Sequence, residues 1–208
     1  MPDDPRLTIP VLLGTIRAGR RSAHVARLLL GRLEGCDEVA TALIDLADLD
    51  LPVMRDLLGE TDDAPSGAVG LSERLSRADG LVIVAPEYKN GYPGSLKNAF
   101  DYLPAGILRR KPVGIVTVSS GGFGGLNCLA QLRLICLAMG GVPIPVALPV
   151  SRVDEAFDEP GTLRDPKLAA RVGPFIDELI WYARALASPR GGGGTEPAVP
   201  EQERRRPT

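Results

Sequence analysis

Apolar residues in this chain come in short, nearly unbroken runs separated by stretches of helical period. Residues 7–13 form a strand-length run ending at Gly14, and residues 39–46, 80–85, 113–118 and 142–148 repeat it. Between them, residues 22–33, 69–77, 95–103 and 126–139 space their apolar positions three and four apart, and 165–187 predicts a long closing helix. Residues 48–65 read as a loop. Strands without in–out alternation are buried on both faces. The fold class is therefore α/β, a doubly wound five-stranded parallel sheet with helices on both faces. Pro143 and Pro145 interrupt the fifth run and place it near an edge. Right-handed crossovers allow the order 2-1-3-4-5, where winding reverses between strands one and three. Ligands of such sheets bind beyond the carboxyl ends of strands at that point.

Composition narrows the functional classes. A length of 208 residues suits one domain plus an appendage, here residues 1–188 and a Gly/Pro/Arg-rich tail, 189–208. The tail holds the glycine run 191–194 and Arg204, Arg205 and Arg206, without any apolar period, and is expected to be disordered. A formal net charge of −2 gives no reason to expect nucleic acid or an acidic membrane as partner. No apolar run approaches ~18 residues and the first residues do not resemble a signal peptide, so a cytoplasmic protein is expected. Cys36, Cys128 and Cys136 include no Cys-x-x-Cys pair, and the last two read as buried small hydrophobes. With His24 as the single histidine, a histidine-based metal cluster is impossible, and no metal site is expected.

Three loops at strand ends carry the candidate chemistry. The first, residues 14–22, sets the Thr15 and Ser22 hydroxyls and the guanidinium groups of Arg17, Arg20 and Arg21 beside the start of a helix. Backbone N–H groups and the helix dipole favour an anion there, as in a terminal phosphomonoester site. An ordinary N-cap at Ser22 with solvated arginines is the alternative. No Gly-Lys-Ser/Thr follows, which argues against a triphosphate cradle. The second loop runs Pro86-Glu87-Tyr88-Lys89-Asn90-Gly91-Tyr92-Pro93-Gly94. Its tyrosines and turn backbone suit a planar, hydrogen-bonding heterocycle, although both rings also fit as core-edge aromatics. The third, Ser119-Ser120-Gly121-Gly122-Phe123-Gly124-Gly125, is glycine-dense. Glycines there allow positive φ and let backbone amides approach a ring edge, unless this is simply a flexible surface loop.

The second loop resembles the Pro-Glu-Tyr-Asn…Tyr-Pro-Gly-x-Leu-Lys-Asn signature of the NADPH-dependent FMN reductase family, a flavodoxin-like group that includes quinone, azo-dye and chromate reductases. The matching positions are Pro86, Glu87, Tyr88, Gly91, Tyr92, Pro93, Gly94, Leu96, Lys97 and Asn98. The first loop resembles the family's Gly-Ser/Thr-x-Arg-x-Gly-Arg phosphate loop, with Thr15, Arg17 and Ser22 on its phosphate positions. Lys89 departs from the family's asparagine. The resemblance spans roughly residues 8 to 150 and implies FMN as cofactor, NADPH or NADH as donor and a small-molecule acceptor. It implies hydride chemistry at FMN N5, so no catalytic side chain is expected. Taken together, the reading of the three loops and the resemblance make the candidate cofactor residues Thr15, Arg17, Arg20, Arg21, Ser22, Pro86, Glu87, Tyr88, Lys89, Asn90, Tyr92, Ser119, Ser120, Gly121 and Gly122. Amides of the third loop would then meet the flavin's pyrimidine edge.

A flavodoxin-like electron carrier or a non-catalytic FMN-binding module remain the alternatives. Carriers of that kind are usually strongly acidic, unlike this chain, whereas Lys89 keeps the module in view. His24 is expected to pack or face solvent rather than donate a proton. Residues 126–139 are apolar nearly all round, more than one sheet face covers, so a homodimer or tetramer is expected; a helix fully enclosed within the subunit is the alternative. Removing residues 189–208 is expected to leave the melting temperature and FMN affinity unchanged; a large drop in either would show the tail docked on the body.

Overall fold

In the computed structural model, which describes residues 6–58, 63–159 and 161–187, every ladder of the central sheet is parallel. The tail expected at 189–208 lies outside the described residues. The first strand is split by Pro10, which has no N–H to donate, into β1 (Leu7–Thr8) and β2 (Val11–Leu13). The second comes as β3 (Val39–Ala40) and β4 (Leu43–Asp45). The third and fourth are continuous, as β5 (Leu81–Pro86) and β6 (Pro112–Val118). The fifth is broken by its prolines into β7 (Val142–Pro143) and β8 (Leu148–Val150), two residues beyond the expected end, and both pieces pair with β6. The order β4-β2-β5-β6-β7, with β8 also on β6, is the expected 2-1-3-4-5.

Alternate residues of each apolar run feed two separate cores. Val11, Leu13, Val82, Val84, Val116 and Val118 pack under α1 (Ser22–Glu34) and α6 (Pro166–Leu186). Leu12, Leu81, Ile83, Ala85, Val113 and Ile115 pack under α2 (Ser66–Arg77), α3 (Gly94–Asp101) and α4 (Leu126–Ala138). That two-sided burial is the physical reason the strands show no alternation. Gly114 lets α6 approach closely, since a Cβ there would lie 2.7 Å from the Phe175 ring. Asp165 caps α6 through its carboxylate, which accepts from Lys167 N at 2.8 Å, and Pro166 opens the helix. Lys111 donates its ammonium to the Leu75 and Ser76 carbonyls at the end of α2.

Short elements escaped the periodicity. A 3-10 turn, Leu46–Asp48, follows β4, and α5 (Val153–Ala156) follows β8. Neither is long enough to show a helical period. Burial pushes the Cys128 and Cys136 thiols up to about 12, so both stay neutral and serve as core residues. His24 stacks on Phe157, with ring centroids 5.7 Å apart. No helix of the described residues is long and apolar enough to cross a membrane.

Phe175 is fully buried whereas Trp181, on the same helix, is 60% exposed. Phe175→Ala should cost about 3–5 kcal/mol in urea unfolding, and Trp181→Ala less than about 1 kcal/mol. Equal losses would contradict the assignment of the α6 faces.

Candidate functional site

The three loops leave the carboxyl ends of β2, β5 and β6, and each root hangs on the next strand. Gly14 N donates to Val84 O, Glu87 N to Val118 O and Ser119 N to Val150 O, all at 2.9 Å. Between the loops lies a cleft of about 560 Å³, within the range of small-molecule sites. Its walls include ten of the residues expected from sequence: Arg17, Arg20, Arg21, Ser22, Pro86, Glu87, Tyr88, Ser119, Ser120 and Gly121.

The first loop is held from behind. Ser95 Oγ donates to Gly14 O at 3.3 Å, and a Cβ at Gly14 would lie 2.8 Å from the Leu96 side chain. Thr15 is buried, and its hydroxyl shares a 3.1 Å hydrogen bond with the Tyr88 hydroxyl. Tyr88 lines the cleft and Thr15 does not. The Arg17 guanidinium lies 6.0 Å from the centre of the Tyr88 ring and pairs with no carboxylate among the described residues.

The other two arginines are engaged. Arg20 pairs with Asp45 at the end of β4 and donates to Arg17 O at 3.3 Å. Arg21 pairs with Asp154 at 3.4 Å and with Glu159 at 2.8 Å. Ser22 is not the N-cap that its sequence position suggested. Arg21 occupies that position without a side-chain cap, and Ser22 is the first helical residue. The Ser22 hydroxyl is buried and finds no hydrogen-bond partner among the described residues, and the same holds for Arg20 Nε. Buried polar atoms at a helix start, beside a cation without a carboxylate partner, fit the terminal phosphate of FMN.

The second loop is a tight hairpin. Tyr88 N donates to Gly91 O at 2.9 Å and Gly91 N to Tyr88 O at 3.0 Å, with Lys89 and Asn90 at φ 50° and 61° between them. Both central residues at positive φ make this a type I′ turn. Its tip docks on α4, where Gln131 Nε2 donates to Asn90 O at 2.8 Å. Glu87 accepts from Cys128 N at 3.0 Å, so its carboxylate caps α4 while the residue lines the cleft. Lys89, Asn90 and Tyr92 are not on the cleft wall. Tyr92 is half-buried against the α3–α4 core, and burial raises its phenol above the ordinary range. Asn98 of the signature is structural here: it accepts from Met54 N at 2.9 Å and donates to Pro52 O at 2.7 Å.

Of the four glycines of the third loop that were expected to allow positive φ, Gly124 (65°) and Gly125 (78°) adopt it, and Gly121 and Gly122 do not. Cβ atoms at Gly124 and Gly125 would meet Pro149 at 2.8 Å and Thr117 at 3.1 Å. Thr117 Oγ1 donates to Gly124 O at 2.7 Å and fixes this elbow. Gly121 has open space around its α-carbon and accepts from Arg152 N at 3.0 Å, while Gly122 is not on the cleft wall. Sequence reasoning missed Gly19, Val118, Phe123, Val153 and Asp154, which also line the cleft. Phe123 lay within a loop already singled out, whereas Val153 and Asp154 belong to α5, too short to announce itself. Among the described residues no cluster of metal-ligating side chains occurs.

Known proteins share this fold. A profile of the NADPH-dependent FMN reductase family matches residues 7–155. An FMN-dependent NADPH-azoreductase of Staphylococcus aureus (strain USA300) is 29% identical over 177 residues, covering 83% of this chain and 93% of that protein. The flavoenzyme NAD(P)H:(acceptor) oxidoreductase FerB of Paracoccus denitrificans superimposes with a TM-score of 0.72 at 26% identity, over 86% of this chain and 98% of the other. The apo form of an NADH:FMN oxidoreductase (EMOB) shares the fold with a TM-score of 0.67 at 20% identity, over 88% and 91%. Matched from the first strand into α5, with its loops converging on one cleft, the chain belongs to the NADPH-dependent FMN reductase family, FMN-dependent enzymes that draw electrons from NAD(P)H.

Proposed function

We propose that the cleft holds FMN with its phosphate at the first loop and its ring between the second and third, and that the enzyme passes two electrons from NADPH or NADH to a small-molecule acceptor such as a quinone, an azo compound or free flavin. The observation that carries this reading is the buried, unpartnered Ser22 hydroxyl on the cleft wall at the start of α1. Arg17 adds the charge, and Arg20, oriented by Asp45, has Nε left to donate. The relatives named above, an azoreductase and an NAD(P)H:(acceptor) oxidoreductase, support the acceptor class.

Bound FMN supplies the two-electron chemistry; the chain's own residues bind, orient and shield it. Thr15 fixes the Tyr88 hydroxyl, which sets the plane of that ring on the cleft wall. Glu87 ties the second loop to α4 and is a positioning residue. Ser119 and Gly121, pinned through Val150 O, Arg152 N and Val153 N, keep the third loop close enough for its backbone to meet a ring edge. Lys89, on the hairpin tip, and Tyr92, in the core, serve the loop's shape.

The exposed side of α4 supports a homodimer, or a tetramer built from it. Leu126, Leu134 and Leu137 are 52%, 69% and 59% exposed, while Cys128, Leu132 and Cys136 face inward. Three free cysteines and dependence on NAD(P)H favour the cytoplasm.

Two measurements test the site and the assembly. Arg17→Ala should weaken FMN roughly tenfold or more while changing riboflavin by less than about twofold. Ser22→Ala should weaken FMN in the same selective way without lowering the melting temperature of the apoprotein, because it deletes an unsatisfied hydroxyl. Equal losses for FMN and riboflavin would place the phosphate elsewhere. The double substitution Leu134→Glu with Leu137→Glu should halve the mass seen by sedimentation. An unchanged mass would remove α4 from the interface.

A further inference from the structure

Phe123 is the anomaly of the cleft. It is a large apolar side chain, 83% exposed, on the cleft wall, with two glycines on either side in sequence. Its exposure rules out a packing role. It is also not carried on slack chain. The backbone immediately after it enters left-handed geometry at Gly124 and Gly125, pressed against Pro149 and Thr117, with Gly124 O held by the Thr117 hydroxyl. The ring is thus presented outward from a fixed elbow. An aromatic ring has only two side-chain torsions to order, so holding it ready against a flat ligand costs little entropy.

Resting on the FMN reading above, we propose that Phe123 is a specificity-determining residue for the acceptor: its ring stacks on planar aromatic acceptors at the mouth of the cleft. The inner wall, formed by Val118, Ser119 and Ser120 with the first loop, is where the cofactor is placed. The outward face of Phe123 is left for a molecule that arrives afterwards. A nicotinamide dinucleotide has phosphates and sugars to bind by. A quinone or azo compound is largely a flat ring system, so the ring wall matters most to it. Leu126, Leu134 and Leu137 continue the apolar surface along α4, and a partner subunit is the competing occupant.

The test uses FMN-loaded protein, wild type, Phe123→Ala and Phe123→Tyr. Methyl red is titrated onto the oxidised protein without NADPH, so binding is read without turnover; kcat/KM is then measured with methyl red and with ferricyanide, which has no ring to stack. Phe123→Ala should weaken dye binding and lower kcat/KM for the dye by about three- to tenfold, and Phe123→Tyr should restore both. FMN affinity, ferricyanide turnover and sedimentation mass should stay within about twofold, twofold and experimental error. Unchanged dye binding overturns the proposal. So does an equal loss of FMN affinity, which assigns the ring to the cofactor, or a fall in mass, which assigns it to the partner subunit. Failure of the wild type to take up FMN is visible before any dye is added and removes the underlying reading as well.

Discussion

The site depends on how the parallel ladder runs out. Gly14, Glu87 and Ser119 each donate one more hydrogen bond to the neighbouring strand after their own strand has ended. Three loop roots are thereby fixed relative to one another by β2, β5, β6 and β8, and contacts such as the Thr15–Tyr88 hydrogen bond add to that frame. The two cores lock those strands from both faces, so the cleft inherits the rigidity of the sheet. The contacts that shape the cleft walls are attached to that frame: the Thr15–Tyr88 hydrogen bond, the Arg20–Asp45 pair and the Glu87 cap on α4.

Charge is distributed with the same economy. Of three arginines in the first loop, Arg20 and Arg21 are compensated by Asp45, Asp154 and Glu159, which hold the loop in shape. Arg17 has no carboxylate partner among the described residues. A cleft with all three uncompensated would repel itself; this one leaves a single uncompensated arginine on a wall that also carries the buried Ser22 hydroxyl. The exposed pairs contribute little to stability, so their value lies in orientation.

Much of this was legible in the chain. Unbroken apolar runs pointed to the parallel sheet, because a strand buried twice has no polar face to reveal; its order came from the crossover rule, which allowed it without requiring it. The three loops were legible from their glycines, hydroxyls and arginines at strand ends. Partnership was not. Ser22 is an excellent N-cap residue, and only the fold shows Arg21 in that position. Tyr92 carries the same family signature as Tyr88, yet the I′ turn at Lys89 and Asn90 sends the chain back toward α4 and leaves Tyr92 against the core. Gly121 and Gly122 look like Gly124 and Gly125 in sequence, but positive φ is needed only where Pro149 and Thr117 crowd the backbone. Asp154 comes from one turn of helix with no periodicity to read.

The central claim is that this cleft binds FMN so that NAD(P)H can reduce it. Mixing FMN-loaded protein with one equivalent of NADPH or NADH in the absence of oxygen tests it most directly. The account predicts rapid loss of the oxidised flavin absorbance with at least one of the two donors, recovered on adding an acceptor. Protein that retains FMN yet stays oxidised with both donors would contradict it.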